Sequence, residues 1–588
     1  MTSPRTFVRQ GWMPLVSGDG RHVEIVSAVP IADSTARFVR QDTGADAVSV
    51  TRVTLAEFDA TIARECRAEL LHEIAESLAE AQPSRSARSG LTRGQLLAPP
   101  VVLVLVAACL VVDVRLTTIV LLAVTSLTLS LFMGFRLVCV LLLPLRRLFQ
   151  RRSEAPAERS DPQRTEDSWV TNGTLDTRGS EDLPTYTILV PAFREAKIIG
   201  RLIENLEQLD YPRDRMEVLV LLEEDDTSTI VAALAADPPA YMRILVVPRG
   251  APQTKPRACN YGLIFARGEF LVIYDAEDRP EPDQLRRVVA DFRRAAVERQ
   301  QGRPLAQLAC VQCGLSYYNA PYNVLTRLFA IEYSFLFDAM LRGLDGSGIP
   351  IPLGGTSNHF DTLILRRLGG WDPYNVTEDA DLGIRAAAMG YRVGVNTSTT
   401  WEEACSRSGA FIKQRTRWIK GYLLTSAVNL RHPVQFTRAT GLRGLVCLLA
   451  LILGTPLAFL VYPVLVVFAA LTIAGEQWGF LGMPHWLATL GLVNMLAGTG
   501  LTIVTSAIVA LPRYGWRIAG LAIFSPVYWL LHSVAAWRAA WQTMLTPHVW
   551  EKTPHGLSDD FDPEQELGQT DRTTGQPVGR PAPVTARP

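Results

Sequence analysis

Asp275, Glu277 and Asp278 close a hydrophobic run, Phe270–Tyr274. An extended chain alternates faces, so Asp275 and Glu277 point to the same side. Hard oxygen ligands two residues apart suit Mg2+ or Mn2+ bridging a diphosphate. A metal so held stabilises charge on a departing nucleotide. About a hundred residues on, Thr377-Glu378-Asp379 follows the turn-rich stretch Gly369-Gly370-Trp371-Asp372-Pro373. A carboxylate beside an acceptor hydroxyl can take its proton as general base. Asp379 is the first choice for that role and Glu378 the alternative. Gln414, Arg417 and Trp418 then fall at i, i+3 and i+4, one face of a helix. Arg417 offers a fork of donors to a phosphate, and the Trp418 ring is a flat apolar platform for a sugar.

Further candidates sit at strand ends. The strand Thr187–Val190 runs into Pro191-Ala192-Phe193-Arg194-Glu195, and Glu217–Leu222 into Glu223-Glu224-Asp225-Asp226. Ligands of open α/β sheets bind outside the carboxyl ends of the strands, where carboxylates can accept from a base N–H and ribose hydroxyls. Lys255 opens a helix and can neutralise a diphosphate, and Asn260 can hydrogen-bond it.

The elements that must position these residues alternate buried strands with helical stretches over residues 184–430, the pattern of a mostly parallel sheet covered on both faces. Residues 1–82 read as a small α/β module with strands at Trp12–Val16, His22–Val29 and Ala47–Val53. Thr54-Leu55-Ala56-Glu57 is a capping-box helix start, leading a stripe of Phe58, Ile62, Cys66, Leu70, Ile74 and Leu78. Residues 83–95 read as a Ser/Arg-rich linker.

Composition narrows the class. Lys plus Arg balance Asp plus Glu at 58 each, so no global field points to nucleic acid. Hydrophobic residues make up 48% of the 588, high for a soluble chain. The eight cysteines are scattered, and the Cys310/Cys313 pair lies on strand-like sequence with side chains on opposite faces. Reduced cysteines, not a zinc site, are expected. No signal peptide is expected at the N-terminus.

Gly94–Val112 and Leu116–Phe135 are uncharged stretches long enough to cross a bilayer, and Asp113 and Arg115 mark a tight turn between them. Arginines flank both sides of this 96–148 hairpin, which puts both its ends in the cytoplasm. Residues 149–183 read as a disordered linker. Between 431 and 545 the membrane returns, with a break expected at Gly454-Thr455-Pro456 and four passes or partial passes in all. That count leaves Arg513 and Arg517 facing outside. Residues 546–588 read as a polar tail.

With its acidic motif, its Thr377-Glu378-Asp379 and its Gln414-to-Trp418 motif in this order, the chain resembles the processive family 2 glycosyltransferases (cellulose, chitin and hyaluronan synthases and bacterial relatives) over roughly residues 184–556. The resemblance implies an α/β GT-A domain inserted between transmembrane helices of the inner membrane, with the catalytic domain cytoplasmic. It implies an inverting enzyme using a nucleotide-sugar, foremost a UDP-sugar, with Mg2+ or Mn2+, and a glycan or lipid acceptor. Asp379 becomes the base, Asp275 and Glu277 lie near the metal, Trp418 lies under the acceptor, and Glu195, Glu224 and Lys255 surround the nucleotide. Glu277 departs from the family's second Asp. Trp550–Gly556 is similar to the gating loop of cellulose synthases, making Lys552 a phosphate contact and requiring a cytoplasmic C-terminal side. Residues 1–82 resemble the N-terminal domain of type II secretion ATPases. The repeated motif with which some of those domains bind cyclic di-GMP is not evident, so a spacer role or the docking of a regulatory or secretion partner is expected instead.

Overall fold

The computed structural model describes residues 3–18, 20–153, 183–302, 305–345, 347–475 and 484–547. They form two compact units: one of Met1–Gln82, Ser180–Ala276 and His359–Pro373, the other of Pro83–Gly179, Glu277–Asn358 and Tyr374–Pro588.

The first unit begins with the expected small module. β1 (Trp12–Val16) pairs antiparallel with β2 (His22–Ser27), which pairs parallel with β3 (Ala47–Arg52). The Thr54 box forms as predicted: the Glu57 amide donates to the Thr54 hydroxyl at 3.3 Å and the Glu57 carboxylate accepts from the Thr54 amide at 2.8 Å. All six stripe residues are buried, but the helix breaks at Cys66 into Leu55–Glu65 and Arg67–Ala81. Helices at Pro4–Gln10 and Asp33–Thr43 complete the module.

The rest of this unit carries strands in the order β6-β5-β4-β7-β10. They are β4 (Tyr186–Ala192), β5 (Met216–Glu223), β6 (Met242–Val247), β7 (Phe270–Ile273) and β10 (Asn358–Asp361). The β4–β5, β5–β6 and β4–β7 ladders are parallel, and β4, β5 and β7 read as near-continuous apolar runs because both faces are covered.

Charges fasten the module to this sheet. Asp59, 2% exposed, pairs with Arg243 and, at 3.2 Å, with Arg267. Arg243 also reaches Glu217 at 2.7 Å. Asp59→Ala removes the buried acid that both arginine side chains contact. The expected loss is about 3 kcal/mol, the low end for breaking a buried pair because Glu217 remains, and thermal denaturation of the full-length protein measures it.

In the second unit β9 (Gln307–Tyr317) pairs parallel with β11 (Tyr391–Glu402), and β11 pairs antiparallel with the short β8 (Arg279–Pro280). Cys310 and Cys313 are buried on β9, and all eight cysteines are free. The expected 83–95 linker is ordered. Arg431 donates to the Ser86 carbonyl at 2.8 Å and to the Gly90 carbonyl at 2.5 Å, and Ala87 packs with Leu424 and Val428.

Among the described residues four helical stretches are long and apolar enough to cross a membrane: Arg93–Val112, Val114–Leu142, Pro433–Ala470 and His485–Leu545. The hairpin turn falls at Asp113, which caps the second helix by accepting from Leu116 N at 2.9 Å. Asn494 ties that helix to a later one through the Ser126 carbonyl and the Ser130 hydroxyl, both at 2.8 Å. Such side-chain hydrogen bonds hold apolar helices together where burial alone gives little preference.

Two sequence expectations fail in this region. The break after residue 431 lies at Gly441, where φ is 69°, and not at Gly454–Pro456, which opens a continuous helix Gly454–Gly475. Arg513 does not face away from the catalytic domain. It pairs with Asp338 at 3.0 Å and donates to Thr399 Oγ1 on β11 at 3.1 Å, and the adjacent Tyr514 hydroxyl bonds Ser316 on β9 at 2.5 Å. At Gly515 the chain turns with φ 69°, and the helix Ser525–Leu545 then packs along the helix Ser408–Asn429 through Ile419, Ala535, Ala536 and Ala539. This last segment therefore lies against the helix carrying Trp418.

Candidate active site

In the first unit the loop after β4 is latched from its backbone. Arg194, in the left-handed region at φ 57°, donates its amide to Asp226, and Glu195 N donates to Thr229 Oγ1 at 3.0 Å. Asp226 also caps the helix Thr227–Ala235. Glu195 is thereby carried at the carboxyl end of the sheet, where the sequence expectation put it.

Glu224 has a different employment from the one expected. Arg67 of the N-terminal module grips it with both guanidinium nitrogens, at 2.9 and 2.6 Å, and Arg249 N donates to it at 2.8 Å. The Arg67 contact, helped by that amide, holds the carboxyl down at about 2. Glu224 is thus tied to Arg67 of residues 1–82. Asn260 is likewise reassigned. Its oxygen accepts from Trp371 N at 2.9 Å, and its amide donates to the carbonyls of Trp371 at 2.9 Å and Ile74 at 3.1 Å. The amide is used up by backbone and clips the Gly369–Trp371 turn, where Gly370 (φ 70°) has no room for a Cβ beside Asn260 Oδ1.

Lys255 and Asp275 do come together: the Lys255 ammonium pairs with Asp275 just past the end of β7. In the same unit Arg257, which sequence reasoning passed over, is buried with Glu223 at 2.7 Å and the Pro248 carbonyl at 2.8 Å. Its signal was present in the sequence as an acid at the buried end of a strand, which demands a cation. Burial pushes the Glu223 carboxyl up, against the pull of Arg257.

His359 is buried and hydrogen-bonds the Tyr186 hydroxyl at 2.7 Å. Burial alone pushes its pKa down to about 3. The unfolded chain then binds the proton more readily, at an ordinary value of about 6.5. Stability is complete above that pH and falls below it, by up to about 1.4 kcal/mol per pH unit. Melting curves from about pH 7 to about pH 5 should show this acid slope, and His359→Gln should flatten it.

The second unit holds the remaining candidates. Glu277 begins a segment of this unit, and the preceding Asp275 and Ala276 end a segment of the first. Asp278 is buried and accepts from the Thr356 hydroxyl at 2.5 Å. Glu378 and Asp379 open the helix Glu378–Ala388, where the positive end of the helix dipole favours acids. Ala380 N donates to Asp379 Oδ1 at 2.8 Å, which orients the carboxylate. A Cβ on Gly355 would sit 3.7 Å from Asp379 Oδ2, so that loop approaches the Asp379 carboxylate with little bulk.

The structure brings Thr377-Glu378-Asp379 and the Gln414–Trp418 helix together. A Cβ on Gly421 would fall 2.2 Å from Thr377 Oγ1, so glycine there leaves room for the Thr377 side chain against the helix. Burial and the Asp379 carboxylate push the phenol of the neighbouring Tyr422 up. Gln414 is buried and accepts from Cys405 Sγ at 3.5 Å, while Arg417 and Trp418 are partly exposed. Trp418 packs against Phe329 and Tyr333, centroids 6.2 and 6.0 Å away. Lys552 and the Trp550–Gly556 stretch lie outside the described residues.

No group of three His, Cys, Asp or Glu side chains converges among the described residues. Asp275 and Glu277 each carry the hard oxygen donors that Mg2+ and Mn2+ prefer.

These features belong to a GT-A-like fold. Residues 184–421 match the family described as "Glycosyltransferase like family 2". The chain is 27% identical over 260 residues to a probable glycosyltransferase, YdaM, of Bacillus subtilis, covering 44% of this chain and 59% of the relative. It is 30% identical over 246 residues to the beta-monoglucosyldiacylglycerol synthase of Nostoc, covering 41% and 49%. The chain thus spans about half the length of these curated relatives. Among solved structures it is similar to a mannosyltransferase of Pyrobaculum calidifontis in complex with GDP-Man and Mn2+, with a TM-score of 0.41, 20% identity, and coverage of 72% of this chain and 99% of that one.

Proposed function

We propose that this protein is a membrane-embedded inverting glycosyltransferase that moves a sugar from a nucleotide-sugar, a UDP-sugar foremost, to a growing β-linked polysaccharide. The observation that carries the reading is the approach of the Asp379 segment to the Trp418 helix through Gly421. It supports this reading by bringing the segment that carries the proposed proton acceptor near the helix that carries the proposed aromatic platform, both of which transfer to a sugar hydroxyl requires. Asp379 takes the acceptor proton, with Glu378 as the alternative. Trp418 supports the acceptor, and Gln414 and Arg417 contact donor or acceptor from the same helix. Glu195 holds the nucleoside, Lys255 meets the diphosphate, and Asp275 and Glu277 hold Mg2+ or Mn2+. When bound, that metal would stabilise charge on the leaving nucleotide. Lys552 joins the phosphate contacts in this reading; Glu224 and Asn260, already engaged, do not. The catalytic domain faces the cytoplasm at the inner membrane, and residues 1–82 are the site for a regulatory or secretion partner.

A second reading makes the acceptor a membrane lipid that receives one or a few sugars. It is favoured by the resemblance to the Nostoc glycolipid synthase. Product length separates the two: purified protein with a nucleotide-sugar yields a polymer in the first case and a single-sugar glycolipid in the second. Within the first reading, Trp418→Ala should impair acceptor use and spare UDP affinity in calorimetry; lost UDP affinity would contradict the role given to Trp418.

A further inference from the structure

Arg415 lies inside the Gln414–Trp418 motif but has no part in the roles assigned above. It is 5% exposed, a long cationic side chain taken out of water. Its guanidinium makes a two-pronged pair with Glu332, at 3.1 and 2.7 Å. Glu332 in turn accepts from the Tyr528 hydroxyl at 2.6 Å and lies 3.5 Å from His532 Nε2, both on the helix Ser525–Leu545. The other side of Arg415 is aromatic. Its guanidinium carbon lies 4.4 Å from the centroid of Trp418 and 4.3 Å from that of Phe329. A guanidinium over an indole face is attracted by the ring quadrupole, most strongly where water is excluded. Being three residues before Trp418 on the helix, it shares that residue's face.

Resting on the reading of Trp418 as the acceptor platform, we infer that Arg415 is a positioning residue for that platform. Through Glu332 and Tyr528 it locks the indole to the last apolar helix, so that the ring angle offered to the acceptor is set by where that helix sits. An arginine is needed for this, because only its planar fork can grip a carboxylate and lie flat on a ring at once. Lysine keeps the charge and loses both geometries.

The test uses the full-length protein in detergent, with UDP-glucose, UDP-galactose, UDP-N-acetylglucosamine and GDP-mannose as donors, and cellotetraose or dioleoylglycerol micelles as acceptors. Arg415→Lys should raise the acceptor KM by roughly tenfold and leave the donor KM unchanged. Tyr528→Phe, which removes a single hydroxyl and threatens folding less, should move the acceptor KM in the same direction. In a Trp418→Ala background both changes should lose their effect, because residues acting through one another are not additive. If Trp418→Ala raises the acceptor KM and the Arg415→Lys effect adds to it in full, the positioning role is overturned while the platform reading stands. If Trp418→Ala leaves the acceptor KM unchanged, or no donor is turned over, the platform reading fails and this inference falls with it.

Discussion

Asp379→Asn is expected to lower turnover by about 10²–10⁴, the range that base-mediated proton transfer supplies, while UDP affinity stays as in the unaltered protein. Asparagine keeps the size and the hydrogen bond from Ala380 N but cannot take a proton. The helix start that holds residue 379 should survive, because Glu378 and Asp381 remain in its first turn. Single-turnover rates with calorimetry of UDP on the same preparation separate the two effects. Equal loss of binding and rate would mean the residue holds the donor. An unchanged rate would pass the role to Glu378, and no turnover by either protein would point to a non-catalytic, nucleotide-sensing subunit.

The second large effect concerns stability. Glu332→Leu leaves the buried Arg415 without its carboxylate, and breaking such a pair from one side costs about 3–5 kcal/mol. Replacing both partners, as Glu332→Leu with Arg415→Met, should recover most of that loss because no charge is then stranded. Burial by itself would raise the Glu332 carboxyl, but Arg415 and the neighbouring His532 and Tyr528 contacts hold it down at about 2. The folded-state value is below the ordinary one of about 4.3. This contribution is therefore complete above that ordinary value and is lost as pH falls from it towards the folded-state value. Thermal unfolding of the single and double variants at neutral pH measures the coupling. A double variant no more stable than Glu332→Leu alone would show that the pair matters for more than its charge.

Local signals in the sequence were dependable where a few neighbouring residues decide the outcome. The Thr54–Glu57 box, the Asp113 turn and the apolar runs of β4, β5 and β7 all appear where short-range pattern places them. So do the acids at the strand ends and the helix that carries Gln414, Arg417 and Trp418. What the sequence hid is decided by partners far along the chain. Glu224 meets Arg67 across 157 residues, and Asn260 meets Trp371 across 111. No spacing rule foretells either contact. Arg513 was misplaced for a related reason. A charge count along a loop cannot see Asp338 and Thr399 waiting on the adjoining domain. Residues 83–95 looked like a linker by composition, yet the single guanidinium of Arg431 orders them through carbonyls that composition does not report.

The central claim is that these carboxylates serve sugar transfer from a nucleotide. Its most direct test is nucleotide release by the purified full-length protein offered the four donors named above, with Mg2+ or Mn2+ and then with EDTA. Release is predicted from at least one donor, abolished by EDTA and by Asp275→Asn and cut to a small residue by Asp379→Asn. Release that persists unchanged in both variants, or none from any donor, would contradict it.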